Sequence, residues 1–209
     1  MIGMIKKDLL MIKNNYKAII VTMILLVFYS VMFEIDMLFF LPFMGLMVCI
    51  STINYDEYNN WYTYATTLPQ GKINVVNSKY LTTIGVTLLL TIVGVILSLI
   101  TSGIKGTLNI DDSLSGILGE LLVIIFIMSV LFPVLFKYGS EKGRMAMIII
   151  GIGIFGIVFL FKSVFSIEIP NNIIEFLDLY FPIIFIVVSV FLLSISYWFS
   201  KKIYLHREF

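Results

Sequence analysis

Few residues in this sequence have side chains that do chemistry. There is one histidine, His206, and one cysteine, Cys49, the latter inside an apolar stretch. A transition-metal site needs several nitrogen or sulfur donors, so none is expected. A single cysteine forms no internal disulfide and reads as core packing. The string Gly151-Ile152-Gly153-Ile154-Phe155-Gly156 has the G-x-G-x-x-G form of a dinucleotide loop. That chemistry requires a strand before the glycines and a free helix amino terminus after them. Here they lie within an apolar run, where small residues let helices approach closely. The sequence has no G-x-x-x-x-G-K-[ST] phosphate loop. Catalysis is therefore not expected of this chain.

The residues with most chemical character fall together between positions 54 and 69. Asp56-Glu57 sits among Tyr55, Tyr58, Trp61, Tyr62 and Tyr64, and Leu68-Pro69 closes the stretch. Acids suit the positive end of a helix, so Asp56-Glu57 predicts a helix start. Pro69 and Gly71 predict its end. A helix of about three turns would put Tyr58, Trp61, Tyr62 and Ala65 on one stripe. Aromatic residues rimmed by acids suit a groove on a cytoplasmic protein partner. They also suit an aromatic belt at a membrane interface. Both readings stay open at this point.

The elements that position these residues are set by composition. The chain has 209 residues, 60% hydrophobic and 13% charged. Soluble domains carry roughly 45–50% apolar and about 25% charged residues, and one soluble core could not hide this excess. Charge-free stretches occupy Ala18–Phe33, Met37–Tyr55, Tyr80–Ile104, Leu121–Phe136, Met145–Phe161 and Leu179–Ser200. A membrane-spanning helix needs roughly 17–25 such residues, so each stretch is read as one span. Glu34-Ile35-Asp36 then forces a tight hairpin between the first two. Pro133 is expected to kink the fourth. Thr82, Thr83, Thr87, Thr91, Gly94, Ser98, Ser189, Ser194 and Ser196 are expected to join helices. The fold class is an all-α polytopic membrane protein, a single transmembrane domain over residues 1–209.

Twelve of the 14 Lys and Arg fall in the amino-terminal segment, loops 54–79 and 137–144 and the tail. Eight of the 13 acids fall on the other side, Glu120 among them. The positive-inside rule places both termini in the cytoplasm. Before the first span, Ile2, Ile5, Leu9, Ile12 and Tyr16 recur at helical spacing, with Lys6, Lys13 and Lys17 off that stripe. This predicts an amphipathic helix in the cytoplasmic interface.

Asp56-Glu57, Trp61, Leu68-Pro69 and Val76-Asn77-Ser78-Lys79-Tyr80-Leu81 together resemble the pattern of small ABC-2 type transporter permeases. Members of this group include permeases that export phenol-soluble modulins or serve bacteriocin immunity. The resemblance implies a bacterial plasma-membrane exporter subunit that works as a homodimer or heterodimer and needs no cofactor of its own, and no strong basic patch in the sequence suggests a nucleic-acid partner. A separate cytoplasmic ABC ATPase would bind ATP and Mg. The ATPase-coupling residues it implies are Asp56, Glu57, Tyr58, Trp61, Tyr62, Ala65, Leu68 and Pro69, on a short coupling helix. It also implies a re-entrant element between spans five and six, at residues 162–178. None of the six apolar stretches holds an acid, which favours an amphipathic peptide or other hydrophobic substrate over an ion. The alternatives are a non-transporting assembly subunit and an ion-coupled carrier.

Overall fold

The computed structural model describes residues 1–14, 16–33, 40–105, 110–143, 145–146, 148–149, 151–153, 156 and 171–207. The elements are α1 (Ile2–Asn14), α2 (Tyr16–Phe33), α3 (Phe40–Tyr58), α4 (Trp61–Thr66), α5 (Gly71–Lys105), α6 (Ile110–Tyr138) and α7 (Asn171–Leu205). Residues 140–143 begin a further helical stretch after α6. No strand occurs among the described residues.

Among the described residues, three helices are long and apolar enough to cross a membrane: Gly71–Ile100 in α5, Gly119–Tyr138 in α6 and Ile183–Leu205 in α7. A fourth candidate is the pair Ile2–Asn14 and Ile19–Leu26, bent by 60°. α2 is apolar all round and exposes Ile24, Leu25, Phe28 and Met32. A helix without a polar face belongs in a hydrocarbon solvent. α3 is less apolar because its last turns carry Asn54, Asp56 and Glu57. At 35 residues each, α5 and α7 are about 50 Å long. That exceeds a hydrocarbon layer of roughly 30 Å, so their ends stand outside it.

α3 packs along α5, and α6 along α7. Small residues allow the first approach: a Cβ on Gly45 would come within 3.2 Å of the Thr87 backbone. Several hydroxyls bond within their own helix, although Thr83 also meets the Cys49 thiol across α3 and α5. Thr83, Thr87, Thr91 and Ser98 donate to carbonyls of their own helix, three or four residues back. Ser196 behaves as expected: with Ser200 it holds the Tyr80 hydroxyl across α5 and α7, at 2.6 and 2.8 Å. A Cβ on Gly151, Gly153 or Gly156 would meet no atom within 4 Å. Among the described residues these glycines therefore bring no helix close.

Other expectations shift by several residues. α5 starts at Gly71, so the loop read as 54–79 is almost entirely helical. α6 begins at Ile110 and runs through Pro133. Glu120, read as lying outside the fourth span, falls within its membrane-crossing stretch and is buried. The Glu34–Asp36 hairpin, residues 162–170 and much of the fifth span lie outside the described residues.

Candidate functional site

The aromatic stretch folds as a break between two helices rather than as one helix. Asp56 and Glu57 stand in the last turn of α3, not at the start of a new helix. The chain turns at Asn59 and at Asn60, whose φ of 51° is left-handed. Asparagine tolerates that conformation better than most residues. α4 follows with six residues. Threonine hydroxyls brace it, Thr63 donating to the Asn60 carbonyl at 2.6 Å and Thr66 to that of Thr63 at 2.6 Å. The return into α5 passes Gln70, also left-handed at φ 55°. It then requires a glycine, because a Cβ on Gly71 would collide with the Ala65 carbonyl. Residues 54–71 thus make a compact elbow.

Four charged side chains lie beneath this elbow. Lys79 Nζ of α5 sits 2.8 Å from Asp8 Oδ1 of α1 and 2.7 Å from Asp56 Oδ2 of α3. Only the first contact has the direction of a hydrogen bond, and the second is an ion pair. Lys79 also donates to the Thr52 hydroxyl at 3.1 Å. Lys7 donates to the other Asp56 oxygen and lies 3.3 Å from Asp8. The Lys7 ammonium also stands 4.4 Å from the centroid of the Trp61 ring. Asp8 and Asp56 are 0% exposed and Lys79 is 2% exposed. Two cations and two anions cancel, which is how a buried charge is tolerated. The cluster joins α1, α3 and α5 directly, and α4 through Trp61.

Glu57 faces another way. Its carboxylate accepts the Ser140 backbone N–H at 2.6 Å and lies 3.6 Å from Arg207 Nη2. It rests against Gly139, which is left-handed at φ 83°. Arg207 also donates to the Phe136 carbonyl at 2.9 Å, capping the end of α6. The elbow is therefore clamped to the end of α6 and to the segment after α7.

The expected site residues divide into two groups. Asp56, Tyr62 and Ala65 are buried. Trp61 and Leu68 are partly buried against the core. Tyr62 packs edge-on to Tyr204 at 5.8 Å. Burial, and next the Asp56 carboxylate, push the Tyr62 hydroxyl well above the usual tyrosine range. Tyr58 is 87% exposed, and Pro69 is exposed too. The stripe of Tyr58, Trp61, Tyr62 and Ala65 is thus not one surface. The outward face consists of Tyr58, Asn59, Asn60, Thr63, Tyr64, Thr66, Thr67, Pro69 and Gln70, and it carries no charge. Asp8 and Lys79 were missing from the expected set. A lone acid on a lysine-rich helix and a lysine just before an apolar run were the available signals.

Beside the elbow, a cavity of about 930 Å³ opens between the α1–α2 bend and α3. Ile19, Met44 and Val48 line it with apolar surface, while Asn54, Tyr55, Glu141 and Lys142 give it a polar side. No group of His, Cys, Asp or Glu able to hold a metal occurs among the described residues.

Long apolar helices with a small polar elbow at one end define a multi-pass membrane protein. Residues 3–205 match the ABC-2 family transporter protein family, and the chain belongs to it. It is thus a membrane permease of an ABC transporter. No curated protein and no solved structure matches the chain.

Proposed function

We propose that this permease exports amphipathic peptides, or other hydrophobic substrates, from a bacterial cell, driven by ATP hydrolysis on a separate cytoplasmic subunit. Each subunit crosses the plasma membrane six times with both termini inside, and two permease subunits enclose the path. The elbow is the element on which the ATPase acts. Within it, Tyr58, Tyr64 and Pro69 make contact. Asp56, Glu57, Trp61, Tyr62, Ala65 and Leu68 hold those contacts in place.

The observation that carries this reading is the construction of the elbow in a chain of this family. The elbow offers an uncharged tyrosine surface outward, buried ion pairs join α1, α3 and α5 beneath it, and Trp61 ties α4 to them through Lys7. A push on such a surface is passed on to α3 and α5 rather than absorbed. The cavity beside it, apolar on one side and polar on the other, supports an amphipathic substrate.

Co-expression with a candidate ABC ATPase subunit tests the assignment. Tyr58→Ala with Tyr64→Ala should reduce recovery of the ATPase on the permease at least about tenfold, the size expected for losing interface anchors. Thermal stability should stay within about 0.5 kcal/mol of the parent, since both side chains are at the surface. Wild-type association should survive high salt, because the contact face has no charge to screen. Full association and full ATPase stimulation in the double variant would refute the docking role. Transport is tested in vesicles with amphipathic peptides and with inorganic ions, and movement of the ions alone would refute the substrate class.

A further inference from the structure

α1 separates its charges by face. Its one acid, Asp8, is turned inward and is 0% exposed. Met4 is buried beside it, and Met11 and Ile12 are half-buried. The outward face carries Lys6 and Lys13, both exposed, between Ile2, Leu9 and Leu10, which are 81%, 48% and 50% exposed. No acid lies on that face. The apolar residues that leave it unpartnered alternate with the cations. Lysines on a helix beside exposed aliphatic side chains fit a negatively charged lipid surface.

The position of α1 brings that surface within reach. α2 begins at Tyr16, two residues after α1 ends, and is apolar all round. α1 leaves it at a bend of 60°. With α2 as the first span of the proposed six, a helix joined so closely to it, and so inclined, lies at the level of the lipid headgroups. Lys17 and Tyr16, at the start of α2, are exposed as well. They continue the cationic and amphipathic surface across the bend.

We infer that α1 is an arm that reads anionic lipid. Ile2, Leu9 and Leu10 enter the headgroup layer, Lys6 and Lys13 pair with lipid phosphates, and the Lys7–Asp8–Asp56–Lys79 cluster passes the position of the arm to the elbow. The inner face of the same helix supplies the last step. Asp8 is held by Lys79 of α5, and Lys7 joins Asp56 of α3 to the ring of Trp61 in α4. Any tilt of α1 therefore moves charges that α3, α4 and α5 share. The elbow takes one position over anionic lipid and another over neutral lipid. The consequence for transport rests on the reading of the elbow as the ATPase-docking element. The test below does not, because no ATPase is present in it.

Two single-cysteine chains in a Cys49→Ala background carry a spin label. One label is at Gly3→Cys, where a Cβ meets no atom within 4 Å. The other is at Thr63→Cys on the outer face of α4. Each is reconstituted in vesicles of phosphatidylcholine alone, or with about a quarter phosphatidylglycerol. Anionic lipid should carry the Gly3 label deeper, toward oxygen and away from a water-soluble nickel chelate. It should also change the spectrum of the Thr63 label. Lys6→Gln with Lys13→Gln, both surface changes, should remove roughly a thirty-fold preference for the anionic surface and silence both labels. Asp8→Asn should keep the shift at Gly3 and lose the response at Thr63. Four results would overturn the inference: a Gly3 label indifferent to phosphatidylglycerol, an undiminished shift in the lysine variant, a Thr63 label that never responds, or an unaltered Thr63 response in Asp8→Asn.

Discussion

The elbow end and the middle of the long helices treat polar groups in opposite ways. At the elbow, polar atoms reach across elements: Lys79 to Asp8, Glu57 to the Ser140 amide, Arg207 to the Phe136 carbonyl. In the middle of α5, the hydroxyls of Thr87 and Thr91 return to their own helix. There the outward residues are Leu88, Leu89, Ile92 and Ile96, all exposed and apolar. A hydroxyl bonded within its helix places no condition on its neighbours. An ion pair across three helices fixes all three. One end of the molecule thus has its geometry specified by charge, while the other holds together by shape.

Removing the shared cation is the most severe test of this contrast. Lys79→Met leaves two buried acids, Asp8 and Asp56, to share the single partly buried cation Lys7, and removing one partner of a buried pair costs roughly 3–5 kcal/mol in comparable cases. The melting temperature in detergent should fall by about 10 °C. Adding Asp8→Asn and Asp56→Asn should restore part of the loss. A melting temperature unmoved by Lys79→Met would erase the distinction between the two ends. Gly71→Ala comes next. A methyl there meets the Ala65 carbonyl, a backbone atom that cannot swing aside, and overpacking of this kind costs roughly 1–3 kcal/mol. Proteolysis should then nick the chain near residues 59–70 sooner than in the parent. The smallest effect belongs to the middle of α5. Thr87→Val deletes a hydrogen bond internal to one helix, and polar groups in membrane helices are worth only about 0.6 kcal/mol on average. A change of more than about 2 kcal/mol in a melting series would mean that Thr87 joins helices after all.

Hydropathy made the helical class legible, because a run of apolar residues is a local property. The same held for the elbow's boundary at Leu68–Pro69, where backbone chemistry punctuates the chain. The charge pairs were not legible. Asp8 and Lys79 are 71 residues apart, and Asp56 lies between them. No periodicity connects the three. Asp56-Glu57 looked like a helix start because acids favour that end. Here the contacts of Asp56 with Lys79 and of Glu57 with Ser140 outweigh the modest dipole preference. The protein-facing side of α1 was not legible for a related reason. The apolar stripe Ile2, Ile5, Leu9, Ile12 and Tyr16 predicted a helix in the interface without naming the residues that meet the protein, and the chain buries Met4 and Asp8 while Ile2 and Leu9 stay outside. Aliphatic residues beside lipid need no protein neighbour, so hydrophobicity alone could not say which side faces the protein.

The bonds from Tyr80 to Ser196 and Ser200 have a consequence for biosynthesis. Ser200 leaves the ribosome 120 residues after Tyr80, a delay of roughly 6–24 s at ordinary rates of translation. Arg207, which caps α6, follows later still. During that interval the Tyr80 hydroxyl and the Phe136 carbonyl have neither of these partners. The nascent permease therefore spends seconds with its first helices inserted and its elbow unfinished.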